Sequence, residues 1–263
     1  METQETQFPT FECFKSWFDE MTREHPFKTG RSLGRFYGDF FAGAVPVEFL
    51  REYAKQYYIF IQMTNAAVTW TLVNHIDLWR RHPDLYNIVA AKMGSELSDP
   101  APGGHGRTYL KYARYIGVKD DDLRNSRPTP EVEAAFNTAL VYRSQSPAQT
   151  AVRWMLEGFV GYLLQHWRDT LHGKYGVPDE ALEYYDLHVE ADLGEHGPEG
   201  ALLLQKLYQM GRVGETEYAG MRAQVVRSVT SPHRGSQFGS WPDQLYVQYC
   251  AQRPEARGKP PAA

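Results

Sequence analysis

The chain has 263 residues, 42% hydrophobic and 14% aromatic. That is enough to bury one sizeable core, so a single domain is expected over residues 1–250, ahead of a tail at 251–263 expected to be disordered. A formal charge of −4, with Lys and Arg interspersed among Asp and Glu, excludes a basic stripe and with it nucleic acid as a partner.

Strand signals are scarce and helical signals recur. Phe11, Phe14, Trp17, Phe18 and Met21 repeat at helical spacing from Phe11 to His25, and Pro26 ends that helix. Gly30 to Val45 is rich in Gly and aromatic residues. Pro46 then opens a long helix to about His75, whose stripe of Phe49, Tyr53, Tyr57 and Phe60 reads as core. A further helix follows His82-Pro83 and runs towards Glu96, where Asp99-Pro100-Ala101-Pro102-Gly103-Gly104 breaks it, and a short one fits Arg107 to Ile116. Helices are expected from about Glu131 to Tyr142, from Pro147 to about His172, and from Pro178 to an end at Gly194, Gly197 and Pro198. Two more fit Gly200 to Met210 and Glu215 to Val229, making an all-α bundle.

Gln62, Asn65, Asn74 and His75 interrupt the longest apolar stretch, so no segment reaches membrane-spanning length and a soluble protein is expected. Cys13 and Cys250 lie near opposite ends of a chain with no secretory leader. No disulfide framework is expected, and a reducing cytoplasm fits.

Chemistry concentrates in Tyr184 to His196. His188, Asp192 and His196 follow one another at four-residue steps, within a helical stripe roughly 80° wide that rises about 6 Å per step. Imidazole and carboxylate on one face suit iron, manganese or zinc, and open positions favour a redox iron over a closed structural zinc. A bundle must add ligands from other helices, and two segments offer them. Glu157 sits among the apolar residues Trp154, Met155, Leu156, Phe159 and Val160, where an unpaired carboxylate is costly to bury and a metal would neutralise it. Glu96 precedes the Pro-Gly break and His105 follows it, so both can lean into one cavity.

The order Glu96, His105, Glu157, His188-x-x-x-Asp192 and His196 resembles the haem-oxygenase-like di-iron oxidases, relatives of the thiaminase-type and quinone-synthase-type bundles, over about Gly30 to Trp241. The resemblance implies a haem-oxygenase-like bundle of about seven core helices. It also implies two Fe(II) ions with O2 as co-substrate. Glu96, Glu157, His188 and Asp192 would hold one iron; His105, His196 and the shared Glu157 would hold the other. Two departures stand out. The family places its last His seven residues after the first, where this chain has Glu195; His196 is one further on. A single-residue π-bulge near Gly194 would bring His196 into place, so His196 is favoured over Glu195. The N-oxygenating members look to carry an extra Glu on the long early helix, whereas Gln56 to His75 holds no acid, which argues against N-oxygenation.

The implied function is an O2-dependent oxidase of a small aliphatic amino acid, acting by desaturation, carbon–carbon cleavage or cyclisation through a peroxide formed on the iron pair. Glu157, as the shared ligand, is the implied catalytic residue. Oxidative decarboxylation of a fatty acid is the alternative, and a cofactorless quinone-synthase-type oxidase is a further one, disfavoured by Glu157 and Asp192. A thiaminase-like hydrolase lacks a mid-chain Cys, and a purely binding bundle would leave the ligand order to coincidence. A substrate carboxylate needs a cation, for which Arg107, Arg153 and Arg222 are candidates. An external electron donor and a homodimer are compatible with this reading; a membrane partner is not expected.

Overall fold

The computed structural model describes residues 7–30, 33–98, 104–230 and 240–253, with the side chains at 66–68, 105, 139 and 141–145 also outside the description. Among the described residues every regular element is helical. In chain order these are α1 (Phe11–Met21), α2 (Pro26–Thr29), α3 (Arg35–Phe41), α4 (Val47–Asn74), α5 (Ile76–Arg81), α6 (Pro83–Ser98), α7 (Gly104–Tyr115) and α8 (Asp120–Asn125). There follow α9 (Pro130–Gln145), α10 (Pro147–Glu157), α11 (Val160–Tyr175), a 3-10 turn at Asp179–Ala181, α12 (Glu183–Ala191), a π segment at Asp192–His196, α13 (Gly197–Gln209), α14 (Glu215–Thr230) and α15 (Trp241–Gln252).

The helix starts follow from local chemistry. Thr10 caps α1 by accepting from the Cys13 amide at 3.3 Å, and Ser146 caps α10 by accepting from Gln149 at 3.2 Å. Each satisfies an amide that has no partner inside its helix. Pro130 and Pro147 occupy first-turn positions, where no amide hydrogen is needed.

Two apolar clusters build the interior. One is dominated by aromatic rings from α3, α4, α7, α11, α12 and α15, including Phe36, Phe40, Tyr53, Tyr57, Tyr109, Trp167 and Tyr185. The predicted stripe of Phe49, Tyr53, Tyr57 and Phe60 on α4 belongs to it, each at most 3% exposed. The other joins Phe8, Phe14 and Phe18 with Trp79, Leu85, Trp154, Leu204 and Val225.

Four sequence expectations need correction. The helix from Pro147 to His172 is broken at Gly158-Phe159 into α10 and α11. A Cβ on Gly158 would lie 3.4 Å from both the Asp192 carbonyl oxygen and the Gly197 Cα, so the break sits where two backbones meet. Gly194, Gly197 and Pro198 do not end the metal-face helix: α12 passes through the π segment directly into α13. Pro198 falls in the first turn after the π segment, whose wider hydrogen-bond spacing accommodates a residue without an amide hydrogen. The helix expected from Pro178 starts later: Asp179–Ala181 form a 3-10 turn and α12 begins at Glu183. Finally, α15 runs to Gln252, so the last helix includes the first two residues assigned to the tail; residues 254–263 lie outside the described residues.

Candidate metal centre

Glu157 is the last residue of α10, and α10 packs closely against α13. Gly200 makes that approach: a Cβ there would stand 2.5 Å from the Met155 nitrogen and 2.6 Å from the Ala151 oxygen. The π segment just before α13 therefore lies beside the end of α10. From the other side, α6 delivers Glu96 within its last turn, where Asn65 of α4 donates to the Glu96 carbonyl at 3.1 Å.

Three side chains converge at this meeting point. Glu96, Glu157 and His196 each offer a ligand atom, all within 4.8 Å of one another. His196 is 1% exposed and Glu157 7%, while Glu96 is half-buried. The extra residue of the π segment turns His196 inward and leaves Glu195 exposed, as the bulge expected near Gly194 requires. His196 Nδ1 meets Asp192 Oδ1 at 2.6 Å. The carboxylate accepts, so Nδ1 keeps its hydrogen, and in the neutral ring the lone pair is on Nε2. That Nε2 is buried and finds no partner among the described residues. A buried imidazole nitrogen held ready in this way, with its other nitrogen anchored by a carboxylate, is the usual arrangement of a metal-ligating histidine.

Electrostatics follow the same geometry. Burial raises the Asp192 pKa, and the hydrogen bond from His196 opposes that. For His196, burial works most strongly against the charged ring and Lys92 adds to that, but the hydrogen bond to Asp192 together with the charges of Asp192 and Glu96 leaves the pKa above its ordinary value. The unexpected member is Lys92, one turn before Glu96 on α6. Its Nζ stands 2.7 Å from Glu96 Oε1 and 3.1 Å from Glu157 Oε2, with the side chain 1% exposed. Burial disfavours its charge; Glu157 and Glu96, with Asp192 behind them, reverse this and hold the ammonium well above the usual lysine range.

The remaining predicted residues are placed as follows. Asp192, 4% exposed, adjoins the cluster through His196 instead of belonging to it. His188 is half-buried one helical turn earlier, its Nδ1 2.9 Å from the Tyr184 carbonyl oxygen and its ring 4.1 Å from the Tyr184 ring. With Nδ1 donating to that carbonyl, the lone pair of the neutral ring is on Nε2, as in His196. His105 lies on α7, but its side chain is outside the described residues. Arg107 lines a surface cleft with Lys111, Arg114 and Glu183, and Arg222 lines another with Gln7, Glu215 and Tyr218; neither cleft includes a ligand residue. Arg153 is half-buried on α10, one turn before Glu157.

Sequence reasoning missed two acidic-site neighbours. Lys92 leaves a trace, a lone lysine on the apolar face of Leu85 and Val89, four residues from Glu96. Glu199, one turn past His196, is half-buried with Oε2 unpartnered among the described residues; burial raises its pKa, against the pull of Lys92 and His196.

A family profile described as "Iron-containing redox enzyme" matches residues 51–226, a span that contains every one of these ligands. The chain belongs to that family. The carboxylate and imidazole donors of Glu96, Glu157 and His196 suit iron, which makes them the candidate metal site of this iron-containing redox enzyme. A crystal structure from Shewanella denitrificans OS217, titled as a domain of unknown function with a heme oxygenase-like fold, is similar with a TM-score of 0.63. The likeness covers 92% of this chain and 93% of that one at 13% identity. It gives the fold of the enzyme as all-α and heme oxygenase-like. No curated protein matches the chain. Among the described residues no helix is long and apolar enough to cross a membrane. Cys13 and Cys250 are both free, one exposed and one buried.

Proposed function

We propose that the chain is an O2-dependent non-haem oxidase that holds two irons in this cradle and oxidises a small aliphatic amino acid by desaturation, carbon–carbon cleavage or ring formation. The observation that carries the reading is the buried, unpartnered Nε2 of His196 facing Glu96 and Glu157 in a member of an iron family. Glu96, Glu157 and His196 would hold metal directly, with Asp192 and His188 supplied by the same continuous helix and His105 by α7. Iron, when bound, supplies one-electron redox chemistry and the capacity to reduce O2.

The chain's own groups do the rest. Asp192 retains the Nδ1 proton of His196 and so keeps Nε2 available as a donor. Glu157 presents its carboxylate from the end of α10, where Lys92 balances part of its charge. Tyr184, its ring tilted against His188 and its hydroxyl meeting that of Tyr57 at 3.0 Å, would line one side of the centre with buried aromatic surface. The amino-acid substrate class rests on the resemblance carried by the ligand order. Iron-loaded protein, prepared without oxygen and offered free amino acids and fatty acids, tests it. One aliphatic amino acid should accelerate O2 consumption on aeration. Acceleration by fatty acids alone would move the substrate class to oxidative decarboxylation, and no substrate-dependent uptake with iron bound would reject the oxidase.

A further inference from the structure

We propose that Lys92 is a built-in counter-cation of the cradle that makes its two iron positions unequal: one fills with the ammonium in place, and the second fills only when Lys92 withdraws. The inference rests on the two-iron reading above and adds the order in which the centre assembles.

The geometry is specific. Lys92 engages one oxygen of Glu96 and one oxygen of Glu157, at 2.7 and 3.1 Å. A metal joined to those same two oxygens would stand about 2.0–2.2 Å from each, in the space of the ammonium itself. The two cations therefore exclude one another at that point. A carboxylate has two oxygens, however, and His196 Nε2 faces the cradle from the π segment. One metal can take His196 and the carboxylate oxygens that Lys92 does not hold.

Charge leads to the same order. Glu96, Glu157 and Asp192 bring three acidic groups close to Lys92 and half-buried Glu199 a fourth, and two divalent ions with a retained ammonium exceed the charge of them all. A second divalent ion beside a retained ammonium would put excess positive charge into a site where Lys92 and His196 are each 1% exposed, and buried charge without a partner is strongly unfavourable. Lysine suits a displaceable role. Its point charge rides on a flexible four-carbon stem, unlike the planar fork of arginine.

The test is a titration of the metal-free full chain with Fe(II) under anaerobic conditions, free metal being read by a competing chromogenic chelator. Co(II) titration gives a parallel reading from its visible absorption. The wild-type chain should bind one equivalent tightly and the second at least about tenfold more weakly, or not at all. Lys92→Met should strengthen the second step by at least about tenfold more than it strengthens the first, whereas Lys92→Arg, which keeps the charge, should preserve the unequal steps. Two equally tight equivalents in the wild-type chain would overturn the proposal whether or not the variants fold. So would a Lys92→Met isotherm identical to wild type. No metal bound by either protein would reject the oxidase reading itself, an outcome distinct from two equal steps.

Discussion

The metal cradle and the aromatic core lie side by side, and they bury polarity in opposite ways. In the cradle the groups are charged: Lys92 sits between Glu96 and Glu157, and His196 leans on Asp192. In the aromatic region they are neutral. Tyr57 and Tyr184 meet through their hydroxyls at 3.0 Å, and burial raises both pKa values so that neither ionises. His25 is a second neutral case: its Nε2 pairs with Ser228 at 3.0 Å, its ring stacks on Phe159, and burial with nearby Lys28 lowers its pKa to about 4. Buried charge is held only by its partners and gives way when a better cation arrives. Neutral pairs have no such competitor. The cradle is thus arranged for exchange and the aromatic region for permanence.

Breaking one partner in each region tests that contrast. Glu157→Ala should have the largest effect, because it removes one of the two carboxylates in direct contact with the buried Lys92 ammonium and leaves Glu96 as its one ion-pair partner. A loss of about 3–5 kcal/mol is expected, together with loss of bound iron, read by urea unfolding and metal analysis. Unchanged stability would show that the cradle carries no charge strain. His25 comes next, through pH. Its folded pKa is about 4 against 6.5 unfolded, so the unfolded chain takes up the proton first. The stability it contributes is complete above about pH 6.5 and is lost as pH falls towards 4, on the order of 3 kcal/mol. Urea midpoints of wild type and His25→Gln, compared at pH 7 and 4.5, measure the difference; parallel pH profiles would count against neutral burial.

Gly200→Ala sharpens the comparison without touching a polar group. The added carbon meets the α10 backbone at 2.5 Å and should cost about 1–3 kcal/mol by forcing α13 away from α10. Because that separation moves His196 from Glu157, iron affinity should fall with stability; a stability loss with iron affinity retained would separate the helix contact from the site. Tyr57→Phe should be mildest. It removes the hydroxyl that Tyr184 meets and should cost about 1–2 kcal/mol, with iron content unchanged. Loss of iron in this variant would join the two regions that the comparison separates.

Much of the site was legible because it is local. His188, Asp192 and His196 follow one another at four-residue steps, and the eight-residue span from His188 to His196 pointed to the bulge that appears at Asp192–His196. Glu157 was legible because a carboxylate among Trp154, Met155 and Leu156 needs a partner. Lys92 was not. A lysine in an apolar helix reads equally as a solvated side chain, and only the approach of α10 to α6 shows that its partners are carboxylates. The break at Gly158 was hidden for a related reason: Phe159, Val160 and Leu163 continue the apolar pattern straight across it, and nothing local marks where Gly197 comes into contact.

The amino-acid sequence by itself determined the helical class and the aromatic stripe of α4, since periodicity and capping act within a few residues. Tertiary structure alone decided which acidic groups share a cation, that Asp192 supports His196 from outside the cluster, and that Arg107 and Arg222 line clefts that share no residue with the centre. These outcomes depend on how closely α6, α10 and the π segment approach one another. That approach is set by contacts such as Gly200 against α10, between residues far apart in the chain, and no local periodicity encodes them.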